Sequence, residues 1–268
     1  MTVSGYIRRT REMRLTAPII HNGISDGLVG KHIACSPPEI IEIGSNGVHV
    51  WKSLLDEDDD RIRYFFTLLS EHEKQKALRF HAAHHCRQYV VAHGLLRLIL
   101  GGYLEADPGS LTFCANRYGR PFLCMDQKTF PLLFNLSHSH NLCMIAVSSG
   151  LEIGIDVEYM DRDINVQEVA NRFFSKGEVE KINSLPEDFR RYTFFRCWTR
   201  KEAYLKAKGK GLSMGLHQFE VSLLPTEPPA VLSSDDSPED VDRWNVFDLD
   251  PSPGYIGALA VAEGVEAS

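Results

Sequence analysis

One six-residue run, from Ile153 to Glu158, constrains the fold of this chain most. Apolar residues alternate with Gly154, Asp156 and Glu158, and alternate side chains of a β-strand share one face. The run therefore predicts a strand with an aliphatic face on a core and two carboxylates about 6.6 Å apart on the other face. Carboxylate oxygens with open space beside them suit Mg²⁺ and a phosphate. An ordinary solvent-facing strand surface is the alternative.

Composition narrows the class of protein. The length of 268 residues predicts one large domain or two small ones. The net charge of −7 argues against a general nucleic-acid-binding protein. No apolar run approaches the roughly 18 residues of a membrane span, and no apolar segment follows the basic N-terminus, so we expect no membrane association and no secretion signal. The six cysteines form no Cys-x-x-Cys pair, which predicts reduced thiols in a cytoplasmic protein.

Local signals place helices in both halves of the chain. Residues 1–45 lack periodicity and are predicted to be an irregular extension. Ser70 and Glu73 fit a capping box, which predicts a helix to about Phe80. A second helix, with an apolar stripe, is predicted to stop at Gly101-Gly102. A third is predicted over residues 192–208, with Gly209 as its C-terminal stop.

Strand signals lie between and after these helices. Strands are predicted at residues 48–51 and 110–114, and a hairpin with its turn at Ser149-Gly150 is predicted to join 142–147 to 153–158. Residues 224–242 read as a polar loop, followed by a closing hairpin of 244–249 and 255–261. Because helices and strands occur both before and after residue 150, we expect an α+β fold of two similar halves, 46–150 and 151–268.

Two further segments carry groups suited to chemistry. Glu202 and Lys206 are four residues apart on a helix and so share a face, although a surface ion pair has the same spacing. The lysines and glycines from 206 to 211 suit an anion site or a solvated helix end, without the spacing of a P-loop.

Several histidines and one serine complete the candidates. Ser137 and His138 are adjacent, but no Gly-x-Ser-x-Gly elbow surrounds them, so a hydrolase triad is not indicated and both side chains are better suited to donate to a phosphate. The histidines at 81, 84 and 85 lack a His-Glu-x-x-His pattern and are interpreted as surface residues.

Taken in order, the motifs resemble one family. They are Phe134-Asn-Leu-Ser-His-Ser, Ile153-Gly-Ile-Asp-Val-Glu, Arg172-Phe-Phe-Ser, Trp198-Thr-Arg-Lys-Glu-Ala-Tyr-Leu-Lys and Gly209-Lys-Gly-Leu. The chain resembles the Sfp-type 4′-phosphopantetheinyl transferases, and in parts their cyanobacterial members, from about Trp51 to Val261. The resemblance implies two pseudo-twofold-related halves with the active site in the cleft between them, the first half binding coenzyme A and the second carrying the metal and catalytic groups.

The resemblance also implies a reaction. A serine of an apo acyl or peptidyl carrier protein attacks the β-phosphorus of coenzyme A, and adenosine 3′,5′-bisphosphate leaves. Asp156, Glu158 and Glu202 are then the Mg²⁺ ligands. Glu202, directly or through a water, is the base toward the carrier serine, and Lys206 pairs with the pyrophosphate.

Contacts with coenzyme A follow from the same resemblance. Ser137 and His138 match positions that hold its 3′-phosphate, and Arg120 matches a basic position at the adenosine end. Lys76 matches a phosphate-binding base, as does Arg87, for which a surface charge is the alternative. Asp156 and Lys206 are also expected to bind coenzyme A. Glu73 occupies a position at which some members of the family have a lysine.

The resemblance also indicates partners, and two rival functions stay open. We expect a monomer that serves carrier proteins or carrier domains of fatty-acid, polyketide or peptide synthesis, with a carrier surface near residues 160–165. A non-catalytic module that binds coenzyme A or a carrier protein is one rival. A metal-dependent nucleotide hydrolase is the other.

Overall fold

The computed structural model describes residues 19–22, 41–124, 132–211 and 214–263. Its helices are α1 (Asp59–Leu68), α2 (Glu71–Ala77), α3 (Ala83–Leu104), α4 (Val166–Phe173), α5 (Lys176–Ser184), α6 (Glu187–Lys208) and α7 (Asp240–Arg243). Its strands are β1 (Ile19–Asn22), β2 (Val48–Leu54), β3 (Phe113–Ala115), β4 (Pro121–Leu123), β5 (Leu132–Ser139), β6 (Leu142–Ser149), β7 (Ile153–Tyr159), β8 (Phe219–Val221), β9 (Val231–Ser234), β10 (Trp244–Leu249) and β11 (Tyr255–Ala262).

The strands form two main sheets. One has the order β1-β2-β6-β5, antiparallel except for the parallel β1–β2 pair, and the other is the antiparallel sheet β10-β11-β7. Helices α1 to α3 pack on the first sheet through a core that includes Phe65, Leu95 and Ile145. A second core joins α6 to the second sheet, and a third, which contains Val50 and Ile155, lies between residues of the two sheets. The chain is therefore an α+β protein built on two sheets.

Strands β5 and β7 lie side by side, although they belong to different sheets. Backbone N–H groups of Ile155, Val157 and Tyr159 donate to side chains twenty residues earlier on β5. Because this separation is constant, the two strands run in the same direction. The two strands are joined by hydrogen bonds to polar side chains of β5, and not by a ladder of backbone hydrogen bonds.

Several sequence predictions are confirmed. The Ser70–Glu73 capping box begins α2, and α6 ends at Gly209, whose φ of 64° is the left-handed conformation that glycine favours. The closing hairpin is β10–β11.

Other boundaries differ from the prediction. Helix α2 ends at Ala77, before Phe80, and α3 continues through Gly101-Gly102 to Leu104. A Cβ on Gly101 would lie 2.9 Å from the Ala106 carbonyl oxygen, so glycine here allows the chain after the helix to fold back closely.

Longer segments also depart from their predicted form. The turn at Ser149-Gly150 joins two sheets, because β6 and β7 do not pair with each other. The predicted loop 224–242 contains β9 and α7, and β1 is a strand within residues 1–45, where only irregular chain was expected.

The prediction that the cysteines are all reduced is wrong for one pair. Cys114 and Cys124 form a disulfide across the β3–β4 hairpin. They are ten residues apart, so a search for Cys-x-x-Cys spacing misses a pair that only the hairpin brings together. The other cysteines in the described residues, Cys86, Cys143 and Cys197, are free thiols.

Candidate active site

Helix α6 lies directly on β7 because residue 154 is glycine. A Cβ at Gly154 would lie 2.1 Å from the Ala203 carbonyl oxygen and 2.3 Å from the Ala207 backbone nitrogen. Contacts this short with backbone atoms are not relieved by a side-chain rotation. The glycine therefore sets the distance at which Glu202 and Lys206 on α6 approach the carboxylates of β7.

Asp156 is the most buried acid of this region, with 4% of its surface exposed. Its Oδ1 accepts hydrogen bonds from Lys206 Nζ at 2.6 Å and from Ser137 Oγ at 2.9 Å. Its Oδ2 is buried and has no hydrogen-bond partner among the described residues. Burial raises the pKa of Asp156, Lys206 opposes this, and Glu158 adds to it. The alternative of an ordinary solvent-facing strand surface therefore does not fit Asp156.

The other two carboxylates complete an acidic group. Burial and then the charge of Asp156 raise the pKa of Glu202 to about 7, against the opposing effect of Lys206. Glu158 is partly buried, and its Oε2 accepts from Ser139 Oγ at 2.7 Å and from Arg162. Three acids thus lie close enough for the charge on one to disfavour the charge on another.

Whether these residues fit a cation is a question of donors and charge. In the described ranges, no three His, Cys, Asp or Glu side chains are gathered tightly enough to form a ready-made metal site. The unpartnered Oδ2 of Asp156 and the raised pKa of Glu202 nevertheless mark an excess of carboxylate charge. Hard oxygen ligands of this kind suit Mg²⁺. Asp156, Glu158 and Glu202 therefore fit the group in chemistry.

Basic side chains border the acids. Besides Asp156, Lys206 Nζ donates to Ser137 Oγ at 2.9 Å and to the Ile155 carbonyl oxygen at 3.2 Å. His138 is accessible to solvent on one side, but the protein around its ring still lowers its pKa by desolvation. The charges of His93, Lys206 and His85 lower this pKa further. The predicted residues Ser137, His138, Asp156 and Lys206 are thus brought together.

His93 is a member of this border that the sequence analysis missed. Its Nδ1 lies 3.4 Å from Glu73, and its ring stacks on Tyr89 at 4.0 Å between centroids. Lys76 also lies against this stack, 5.3 Å from the centroid of Tyr89. The helical spacing of His85, Tyr89 and His93 is the signal that would have found it.

The remaining predicted basic residues lie farther out or serve the fold. The guanidinium of Arg120 donates to the carbonyl oxygens of Ala207 at 2.7 Å and Ile153 at 2.9 Å, so it joins the β3–β4 hairpin to the end of α6. Arg87 is exposed and donates to Asp59 at 2.6 Å. Of the lysines at 206, 208 and 210, the last two pair with Asp236 and Asp240, whereas Lys206 pairs with Asp156.

Glu73, at the position where some members of the resembled family have a lysine, is buried in the core. It forms a buried ion pair with Arg97, 2.6 Å from its guanidinium. Burial alone would raise the pKa of Glu73, but hydrogen bonds from His93, Arg97 and Ser70 lower it to about 2. The carboxylate therefore holds α2 against α3, and the residue at this position supplies no positive charge to a phosphate.

Two family models match this chain. Residues 152–260 match the family described as the 4′-phosphopantetheinyl transferase superfamily, and residues 56–150 match "4′-phosphopantetheinyl transferase, N-terminal". The chain is 37% identical over 232 residues to 4′-phosphopantetheinyl transferase HetI of Nostoc sp., covering 87% of this chain and 94% of that one. It is 29% identical over 217 residues to 4′-phosphopantetheinyl transferase Sfp of Bacillus subtilis, covering 81% and 91%. A putative 4′-phosphopantetheinyl transferase of Synechocystis sp. is 34% identical over 169 residues, covering 63% and 68%.

Proposed function

The chain belongs to the 4′-phosphopantetheinyl transferases, and from that premise we propose how it acts. It transfers the 4′-phosphopantetheine arm of coenzyme A to a serine of an apo carrier protein. One observation carries this proposal: Asp156 is buried with one oxygen unpartnered, and its other oxygen is bonded to Lys206 and Ser137. An acid held in this way on a lysine-bearing helix suits a polyphosphate substrate with a cation.

Asp156, Glu158 and Glu202 are the residues that would hold Mg²⁺. Bound there, the ion neutralises negative charge on the diphosphate. Lys206 supplies a fixed positive charge on the same side. Its three donors are all used by protein acceptors, so the substrate diphosphate must displace one of these hydrogen bonds.

The transfer requires a base and a stabilised leaving group. The carrier serine Oγ forms a bond to the β-phosphorus, and the bond from that phosphorus to the bridging oxygen breaks. Glu202 takes the serine proton, directly or through a water. Lys206 stabilises the negative charge that develops on adenosine 3′,5′-bisphosphate.

The rest of coenzyme A would lie along the basic border. Ser137 and His138 are proposed for the 3′-phosphate, together with Lys76. Arg120 would contribute at the adenosine end by holding the β3–β4 hairpin in place, and Arg87 would contribute as a more distant charge. Residues 46–150 would then bind most of the nucleotide, and 151–268 would supply the metal and catalytic groups.

Carrier proteins of fatty-acid, polyketide or peptide synthesis are the proposed partners, and the enzyme is proposed to act as a cytoplasmic monomer. No helix in the described part of the chain is long and apolar enough to cross a membrane.

The carrier surface is proposed near residues 160–165, and Arg172 is the better residue with which to test it. Arg172 is exposed, whereas Arg162 is already paired with Glu158. Arg172→Glu should raise the KM for the carrier and leave that for coenzyme A unchanged.

The direct test incubates the protein with coenzyme A, Mg²⁺ and an apo acyl carrier protein. Intact mass spectrometry of the carrier should show the gain of one phosphopantetheine group, abolished by EDTA and in Glu202→Gln. No gain on fatty-acid, polyketide or peptidyl carriers, with coenzyme A still bound, would favour a non-catalytic binding module. Metal-dependent cleavage of coenzyme A without a carrier would favour a nucleotide hydrolase.

A further inference from the structure

Three polar side chains of β5 face β7 at alternate positions. Asn135 Oδ1 accepts from the Ile155 backbone N–H at 2.8 Å, Ser137 Oγ from that of Val157 at 3.4 Å, and Ser139 Oγ from that of Tyr159 at 3.1 Å. All three are buried. We call Asn135, Ser137 and Ser139 the β5 clasp. The clasp aligns β7, and two of its members also contact the carboxylates.

The backbone bonds decide the direction of the serine hydroxyl groups. A hydroxyl has one hydrogen to donate and two lone pairs to accept with. The Tyr159 N–H occupies a lone pair of Ser139, so the hydroxyl hydrogen is left to donate to Glu158 Oε2, 2.7 Å away. Ser137 is arranged in the same way, since Val157 and Lys206 donate to it and it donates to Asp156 Oδ1.

Each serine therefore occupies one oxygen of one carboxylate. For Asp156 the occupied atom is Oδ1, and Oδ2 is the buried oxygen that has no partner in the described residues. For Glu158 both hydrogen bonds, from Ser139 and from Arg162, fall on Oε2. Within the described ranges Oε1 has no such bond, so it is the oxygen left for a cation.

From this geometry we infer that Ser139 is a positioning residue, which holds Glu158 with Oε1 available as a metal ligand. Ser139 acts through Glu158 and touches neither the metal nor the substrate. The inference rests on the proposed function, because it takes Glu158 as a ligand. Partners that orient metal ligands typically change metal affinity by about 10- to 100-fold when removed. Because Arg162 also holds Oε2 of Glu158, the effect of losing Ser139 should lie at the lower end.

The clasp itself offers a matched control. Ser139→Ala removes the hydrogen bond to Glu158 and leaves the Tyr159 N–H without its acceptor. Asn135→Ala leaves the Ile155 N–H without its acceptor in the same way but touches no carboxylate. Both variants lose a hydrogen bond from a β7 backbone N–H to a β5 side chain, so a purely structural role predicts similar behaviour for both.

The experiment is a titration of Mn²⁺ into the full chain at saturating coenzyme A, followed by electron paramagnetic resonance of the free ion. We expect Ser139→Ala to raise the dissociation constant for Mn²⁺ about tenfold and Asn135→Ala to change it less than twofold. Both variants should lose similar amounts of Tm. Should the alanine variant not fold, Ser139→Cys keeps the volume with only a weak donor and should show the same direction of change.

Two results would overturn the inference alone. One is unchanged Mn²⁺ affinity in the Ser139 variants, and the other is an equal loss in Asn135→Ala, which would mean that any displacement of β7 weakens the site. Failure of the unsubstituted protein to bind Mn²⁺ would instead contradict the metal role in the proposed function, and this inference with it.

Discussion

Two of the lysine–carboxylate pairs of helix α6 invite a comparison. Lys201 pairs with Glu178 at 2.8 Å, and Lys206 pairs with Asp156 at 2.6 Å. The ammonium of Lys201 also donates to the carbonyl oxygens of Leu216 and Phe219, and each lysine thus has three acceptors. The difference lies in the acids and in their access to solvent.

Both carboxylate oxygens of Glu178 have hydrogen-bond partners, whereas only one oxygen of Asp156 has a partner in the described residues. One oxygen of Glu178 accepts from the Ser175 backbone N–H at 3.0 Å, and the other accepts from that of Val221 at 3.0 Å. Both members of that pair are buried, with side chains at most 1% exposed, while the side chain of Lys206 is 28% exposed. A fully satisfied buried pair therefore holds the fold, whereas a pair with an unpartnered carboxylate oxygen and a partly exposed lysine is the one suited to a ligand.

The largest expected effect separates the two lysines by stability. Lys201→Met leaves Glu178 charged and buried without its partner, and breaking a buried pair in this way costs about 3–5 kcal/mol. We expect the variant to unfold at a much lower urea concentration than the unsubstituted protein. Comparable stability, measured by urea unfolding, would remove the distinction drawn between the two pairs.

The complementary change should affect turnover and spare the fold. Lys206→Met removes the charge proposed to stabilise adenosine 3′,5′-bisphosphate as it leaves, and loss of one such group costs about 10²- to 10³-fold in kcat. Because this lysine is partly exposed and Asp156 keeps the bond from Ser137, the loss of stability should be much smaller than for Lys201→Met. A steady-state assay with carrier protein, beside urea unfolding of the same sample, measures both. A variant that keeps its kcat would contradict the role of Lys206.

The sequence could predict β7 and the C-terminal end of α6, but not the start of α6, which lies at Glu187 and not at residue 192, nor which lysine of α6 serves which purpose. Alternation in Ile153–Glu158 has the period of a strand, and Gly209 is a local stop signal, so both depend on neighbouring residues alone. Helix α6 is covered on most of its circumference, with polar residues such as Thr199 and Arg200 fully buried. Helical periodicity therefore does not separate its core side from its site side.

Contacts between distant segments were also beyond a reading of the sequence. The family resemblance brought Ser137, Asp156 and Lys206 together as candidates, and the structure places them in contact. His93 and the structural role of Glu73 depend on how α2 packs against α3, which no local motif specifies. The Cys114–Cys124 pair depends on the register of the β3–β4 hairpin in the same way.

A second buried pair, Glu73 with Arg97, tests whether full satisfaction marks a structural role elsewhere in the chain. The native pKa of Glu73, about 2, lies below the ordinary value of 4.5, so the group contributes stability that is fully present above pH 4.5 and is lost as the pH falls toward 2. A shift of this size corresponds to about 3 kcal/mol. The stability gap between the unsubstituted protein and Glu73→Gln should therefore be widest at pH 7 and close in acid.

Urea unfolding at several values of pH from 7 to 3 checks this. The difference between the two proteins isolates Glu73 from the other carboxylates, which titrate in both. A gap that stays constant with pH would mean that the substituted amide differs from the acid in packing alone, and Glu73 would then not belong with Glu178 as a charged structural partner.

The smallest effect is expected at an ion pair whose two side chains are about half exposed. Arg243 and Glu152 lie 2.6 Å apart, with side chains 47% and 48% exposed. This distance is as short as those of the Lys201–Glu178 and Lys206–Asp156 pairs. Exposed pairs contribute at most about 1 kcal/mol, and a double-mutant cycle with Arg243→Ala and Glu152→Ala should give a coupling energy in that range. Coupling as large as that between Lys201 and Glu178 would show that distance, and not burial with full satisfaction, separates structural pairs from the rest in this protein.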